Sequence, residues 1–253
     1  MNLPPLQSGE VLAAEDGAVL TLTLNRPDKL NALTGAMYRD LVDLLAFAGD
    51  NDDVRAVLIL GAGKSFSAGN DLADFLAAGE GTEGGAAPFI RAVSRFEKPL
   101  VIGVQGHAVG VGTTMLLHAD LVVAADDAKF LTPFVDLGAV PEAGSAKLLP
   151  AWLGYQRAAR MLLVGEPLLA PEALQAGLVA KMVSPAELAD TAADYARTLA
   201  AKPPRAMRES KRLMRQAAQM DLHDLIDHDL ALFAELLQGD EAKAILAAKV
   251  GKK

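Results

Sequence analysis

Short apolar runs that stop at a glycine constrain the fold of this chain more than any other feature. Val54–Leu60, broken by a single Arg, runs into Gly61, and Pro99–Val104 repeats the pattern and ends at Gly106. Leu121–Ala124 is a third and briefer apolar run, closed by Asp126-Asp127 in place of a glycine. A strand with no polar alternation is buried on both faces, which is the condition of a parallel sheet covered by helices. Val19–Leu24 alternates apolar and polar residues instead, as a half-buried strand does, and Asn25-Arg26-Pro27-Asp28 breaks it. Between the runs lie helical stretches: Thr34 is placed to cap a helix whose apolar positions Met37, Leu41, Leu44 and Leu45 recur at helical spacing. The expectation is an α/β fold with a largely parallel sheet. Spacing alone leaves open a doubly wound sheet or a spiral of repeated strand–helix turns.

Beyond about residue 140 the strand signals fade. Tyr155–Val164, Pro171–Ala176, Pro185–Ala200, Pro203–Met220 and Leu222–Leu237 all read as helices, with Pro203 and Pro204 suited to a helix start. The reading divides the chain into a core, 1–200, and a helical C-terminal extension, 201–253. The extension carries an apolar face at Leu222, Leu225, Ile226, Leu230 and Phe233, which requires a covering surface, either its own core or another subunit. Ala77–Pro88, rich in Gly, Ala and Glu, reads as a mobile loop.

Half of the 253 residues are hydrophobic (51%) and 22% are charged, a composition that supports a packed core rather than disorder. The net charge of −8 argues against nucleic acid as a main partner, since phosphate neutralisation needs a basic stripe. The absence of cysteine removes disulfides, thiolate metal sites and thiol nucleophiles. Met1–Pro5 lacks the basic and apolar regions of a signal peptide, no apolar run approaches the ~18 residues of a membrane span, and Gly251-Lys252-Lys253 is not a peroxisomal address. A cytoplasmic location is the default expectation, with no membrane partner.

Several familiar motifs fail. Gly61-Ala62-Gly63-Lys64-Ser65 resembles a phosphate loop, but Leu58 stands where its first glycine belongs, and Phe66 replaces the third glycine of a dinucleotide fingerprint. His223 and His228 lie five residues apart, the wrong interval for ligands on one helix face, and no metal site is expected. Ser67 and His107 are a conceivable nucleophile and base, although a polar loop serine is the simpler reading.

Two glycine-bearing strand ends remain: Gly61–Leu72 and Gly106–Thr114. Each follows an apolar run and precedes a helical stretch. Small residues admit a ligand close to the backbone, and N–H groups at a helix start are free donors at the positive end of the dipole. Two such ends meeting at one point would form an oxyanion hole. Tight strand–helix turns account for the same spacing equally well.

The chain also resembles the crotonase, or enoyl-CoA hydratase/isomerase, family along nearly its whole length. The resemblance rests on Asn25-Arg26-Pro27 with Asn31-Ala32-Leu33, Phe66-x-Ala68-Gly69-x-Asp71-Leu72, Gly106 with Gly110-x-Gly112, Ala119-Asp120-Leu121, Leu137-Gly138 and Ala176-Gly177-Leu178-Val179, in that order. It implies a spiral of repeated strand–strand–helix turns, a C-terminal region that forms a homotrimer or dimer of trimers, and an acyl-CoA thioester as substrate with no separate cofactor. It also implies that the main-chain N–H groups of Asn70 and Val111 hold the thioester oxygen. Lys29, Ala68, Gly69, Asp71, Leu72 and Phe134 are candidate substrate contacts; Lys29 and Arg26 lie near the first landmark, where they would meet CoA phosphates or simply stand in a solvated turn. The family usually has Gly where Val111 stands; Val supplies the same N–H but narrows the pocket and makes a left-handed conformation costly.

Hydratases of this family use two glutamates, and the positions that correspond to them here carry Thr114 and Phe134. Neither performs general acid–base work. Glu142 remains. The stretch from Thr132-Pro133-Phe134 through Pro141-Glu142 to Ser145, with Leu149-Pro150 beyond, resembles the peroxisomal-type Δ3,Δ2-enoyl-CoA isomerases, whose catalytic glutamate takes this position. One carboxylate can remove a C2 proton and return it at C4. A glutamate in the exposed first turn of a helix is the competing reading. The expected function is therefore a Δ3,Δ2-enoyl-CoA isomerase; the alternatives are a hydratase or other crotonase-type enzyme, and a non-catalytic binder of acyl-CoA or protein.

Overall fold

In the computed structural model, residues 3–77, 85–217 and 220–250 are described. Contacts group the chain into two compact units, Met1–Ala200 and Ala201–Lys253.

The first unit is built on a six-stranded sheet in the order β1-β2-β3-β4-β6-β9, with a three-stranded sheet β5-β7-β8 beside it. The strands are β1 Val11–Asp16, β2 Val19–Leu24, β3 Ala56–Gly61, β4 Leu100–Val104, β5 His107–Val109, β6 Leu121–Ala125, β7 Lys129–Leu131, β8 Leu168–Leu169 and β9 Lys181–Val183. β1 pairs antiparallel with β2, and every later pairing in the large sheet is parallel. β4 leads into β5, and β6 into β7, so successive strands alternate between the two sheets. This is the strand–strand–helix repeat expected of the family, and it decides the topology that spacing alone left open.

The burial of both faces explains the unbroken runs. Leu20, Leu22 and Leu24 of β2, with Val57 and Ile59 of β3, pack in one cluster with Met37, Leu41, Leu44 and Leu45 of α1 (Gly35–Asp50). The alternate residues Val19, Ala56, Leu58, Val101 and Val123 face the other way, onto Leu188, Ala192 and Ala196 of α8 (Leu188–Ala200). This is the two-residue period of a pleated strand with an apolar partner on each side. Thr34 caps α1 as expected, its side chain accepting from Met37 N–H.

The structure departs from the sequence reading in places. Strands do not cease after residue 140: β8 and β9 lie beyond it, and β9 completes the edge of the large sheet. They are two and three residues long, too short to display a period. Tyr155–Val164 is not one α-helix: α6 (Tyr155–Ala159) continues as a π-turn over Arg160–Val164. A further helix, α5 (Ser145–Leu153), carries Pro150 inside it. Of the Ala77–Pro88 stretch, the two ends belong to α2 (Leu72–Ala77) and α3 (Ala86–Arg95), and residues 78–84 lie outside the described residues. α4 (Val111–Thr114) and α7 (Ala170–Ala176) complete the α-helices described in this unit.

The second unit contains α9 (Pro204–Gln216), α10 (Leu222–Gln238) and α11 (Asp240–Val250). Asp221 caps α10 by accepting from His223 N–H at 2.9 Å. Leu222, Ile226, Leu230, Phe233 and Leu237 form an exposed stripe at helical spacing. No helix among the described residues is long and apolar enough to cross a membrane.

Candidate active site

In a parallel sheet, ligands sit where strands end at their carboxyl edge, because loops there are free of the ladder. The loop after β3 does not leave that edge. On one side it is stitched to residues 30–33: Ala68 N–H donates to Leu30 O, Leu33 N–H to Gly69 O, and Asp71 N–H to Leu33 O. On the other it is stitched to the segment after β4: Phe66 N–H donates to Gln105 O, Ser67 N–H to His107 O, and Val109 N–H to Ser67 O. The two glycine stretches therefore meet.

They meet closely because they are made of glycine. A Cβ on Gly69, whose φ is +86°, would lie 2.6 Å from Val109 O. Asn31 locks the arrangement from beneath: fully buried, its Nδ2 donates to Ala62 O at 2.9 Å and Ser65 O at 2.8 Å, and its Oδ1 accepts from Arg26 N–H at 2.8 Å. Ser67 is buried, its Oγ donating to Asn31 O and accepting from Gly69 N–H, while His107 is exposed. These contacts give the serine a structural use and leave no serine–histidine pair.

Two main-chain donors face away from their own secondary structure. A trans peptide points its N–H opposite to its C=O. Gly69 O accepts from Leu33 N–H at 2.7 Å, so the N–H of the same peptide, that of Asn70, points the other way. Gly110 O accepts from Thr113 and Thr114 N–H at 2.9 Å each, so Val111 N–H emerges from the first turn of α4. Among the described residues neither N–H has a hydrogen-bond acceptor. The left-handed strain expected at Val111 is absent. Gly110 takes the positive φ, 55°, and Val111 opens the helix beyond it. β-branching costs nothing at that place, because the turn is made one residue earlier.

Glu142 lies before α5 rather than in its first turn, and it is half-buried. Thr114 Oγ, itself buried, donates to Glu142 Oε1. Oε2 is buried with no partner. Burial pushes the carboxyl above its ordinary pKa, and the Thr114 hydrogen bond opposes that. The main chain is clamped around it: Ser145 N–H and Oγ both donate to Glu142 O, at 2.9 and 2.6 Å, and His118 Nε2 donates to Ala143 O at 2.9 Å. Ala143 sits at φ 51°, a conformation non-glycine residues adopt only under such constraint.

The other candidate contacts divide. Ala68, Gly69 and Asp71 belong to the stitched loop, and Phe134 is buried in the main core. Asp71 is committed through its carboxylate: it pairs with Arg26 at 2.6 Å and accepts from Ala73 and Asp74 N–H at the start of α2, and Arg26 holds it below the usual carboxylate range. Arg26 is occupied by Asp71, Glu10 and Ala32 O. Leu72 is exposed. Lys29 stands on the exposed turn Pro27–Lys29, and among the described residues its ammonium bonds to no part of this site. No group of three or more His, Asp or Glu among the described residues is placed to hold a metal.

Two residues escaped sequence reasoning. Thr114 was legible only as a missing acid, whereas it anchors the acid that is present. Tyr38, on the buried face of α1, reaches Asn70 and donates its phenol O–H to Asn70 Oδ1.

Known proteins resemble this chain in sequence and in fold. The enoyl-CoA hydratase/isomerase family profile matches residues 14–251. Enoyl-CoA delta isomerase 2 of Rattus norvegicus is 39% identical over 224 residues, which are 86% of this chain and 57% of the rat protein. The chain thus spans little more than half that relative's length. Short-chain-enoyl-CoA hydratase of Clostridium acetobutylicum is 29% identical over 253 residues, covering 98% of this chain and 97% of the relative. A solved structure from Magnetospirillum magneticum AMB-1, whose name pairs enoyl-CoA hydratase with carnithine racemase, superposes with a TM-score of 0.93 at 43% identity over 98% of both chains. With a profile match over nearly all of its length and the same fold, the chain belongs to the enoyl-CoA hydratase/isomerase, or crotonase, family.

Proposed function

We propose that the chain is a Δ3,Δ2-enoyl-CoA isomerase acting on an acyl-CoA thioester. The observation that carries this reading is the state of Glu142: a raised, half-buried carboxyl with one oxygen anchored by Thr114 and the other buried and unpartnered. Glu142 Oε2 removes a proton from C2, and the electron pair moves onto the thioester oxygen as an enolate. Asn70 and Val111 N–H donate to that oxygen. The enolate collapses with the double bond between C2 and C3, and the same carboxyl returns its proton at C4. No atom is gained or lost, and the base is regenerated.

Hydration needs a second group to hold and activate water. Thr114 and Phe134 stand at the positions that the resemblance assigns to the hydratase acids, and neither supplies one. The 39% identity to an enzyme named as a delta isomerase is in keeping with this reading. On the same reading, the exposed stripe of α10 is the contact surface of a homotrimer.

The test incubates the protein with 3-hexenoyl-CoA and, separately, with 2-hexenoyl-CoA in water. Conversion of the first to 2-hexenoyl-CoA is the expected result. Strong hydration of the second that survives Glu142→Gln would overturn the proposal.

Thr114→Val gives a finer check. The lost hydrogen bond leaves burial unopposed, so the Glu142 pKa rises further. Activity requires the ionised base, so the acidic limb of the kcat/KM profile moves to higher pH. A limb that stays in place would remove Thr114 from the account.

A further inference from the structure

The hydrogen bond between Tyr38 and Asn70 lies outside the chemistry described above, and the geometry gives it a use. Asn70 has two claims on its surroundings. Its main-chain N–H is left without an acceptor by the Leu33 pairing. Its side-chain Oδ1 is a strong acceptor a few bonds from that same N–H and from the N–H groups that follow. Asn side chains in turns characteristically turn back to accept from nearby main-chain donors. A free carboxamide here would compete with the substrate oxygen for the donor.

Tyr38 prevents this. The residue is 3% exposed, held on the buried face of α1 and tilted against the Phe89 ring at a centroid distance of 5.6 Å. The O–H of this confined phenol donates to Asn70 Oδ1. Burial, with the charge of Glu142 adding to it, raises the Tyr38 pKa, so the phenol stays a donor over the range in which Glu142 ionises.

We propose that Tyr38 is a positioning residue of the oxyanion site: by occupying Asn70 Oδ1, it keeps the carboxamide from capturing nearby main-chain donors and leaves Asn70 N–H for the thioester oxygen. The inference rests on the oxyanion reading of the preceding subsection.

The test is a double-mutant cycle with a spectroscopic readout. Tyr38→Phe keeps the ring and its Phe89 contact and deletes only the hydroxyl; Tyr38→Met is a second variant without it. Asn70→Ala keeps the main-chain N–H and deletes the competing carboxamide. Isomerisation of 3-hexenoyl-CoA gives kcat and KM, and Raman spectra of bound 2,4-hexadienoyl-CoA, carrying 13C at the carbonyl, report how strongly the oxygen is polarised. Tyr38→Phe is expected to lower kcat about tenfold, the scale of one lost hydrogen bond, with KM nearly unchanged and a smaller carbonyl shift. Adding Tyr38→Phe to Asn70→Ala is expected to change neither quantity further. An unshifted carbonyl in the wild-type complex would refute the oxyanion reading itself. A wild-type shift that Tyr38→Phe leaves intact, or a Tyr38→Phe loss that persists undiminished beside Asn70→Ala, would refute the role of Tyr38 alone.

Discussion

Glu142→Gln is expected to lower kcat for 3-hexenoyl-CoA isomerisation by about 10³-fold, within the range that general acid–base groups contribute. The amide keeps the shape of the side chain and can still accept from Thr114 Oγ at its oxygen, so the loss isolates proton transfer from packing. KM should change little, because the substitution leaves the main-chain donors in place. Stability should move in the opposite direction. Burial raises the folded-state pKa of this carboxyl, so the ionised form is the one the fold disfavours. That cost is present above the folded-state pKa and vanishes as the pH falls below the unfolded value. The Gln variant is thus expected to melt at or above the wild-type temperature at neutral pH, with the difference shrinking toward acid pH. Calorimetry across a pH series measures it. An active Gln variant would contradict the assignment of Glu142 as base, and one that melts far lower would contradict the burial cost.

The second large effect is expected of Val111→Pro, which deletes a main-chain donor without changing the helix. Proline is tolerated at the first position of a helix, where the missing N–H has no intrahelical partner and the fixed φ suits the turn. Val111 occupies that position in α4 and its N–H serves no acceptor among the described residues. Folding should therefore survive. Removal of one oxyanion-hole donor typically costs about 10²–10³-fold in kcat. The expected result is a loss of that size with unchanged circular dichroism and a weaker carbonyl shift in the hexadienoyl-CoA complex. A fully active Val111→Pro variant would show that the thioester oxygen is held elsewhere.

What could be read from the sequence depended on the range of the interaction. β2, β3, β4 and β6 were visible because each run is long enough to show burial on one face or both. β5, β7, β8 and β9 are two or three residues long and owe their existence to the neighbours they pair with, which no local pattern records. The glycine stretches were visible as candidates, but their meeting depends on Asn31 and on the stitching to residues 30–33. Val111 was charged with a strain that belongs to Gly110, because sequence shows which residue is unusual and not which one makes the turn. Thr114 and Tyr38 were hidden for a similar reason: their partners Glu142 and Asn70 lie 28 and 32 positions away along the chain.

The clamping of Glu142 has a consequence for motion. Ser145 fixes its carbonyl and His118 fixes the next one, so the backbone there is a rigid post. If Glu142 is the proton carrier proposed above, its travel between C2 and C4 comes from rotation about the glutamate's own side-chain bonds. Such a swivel is quick beside loop rearrangement, and on the proposed isomerase reading it would let a single carrier serve both ends of the shift while the main chain stays still.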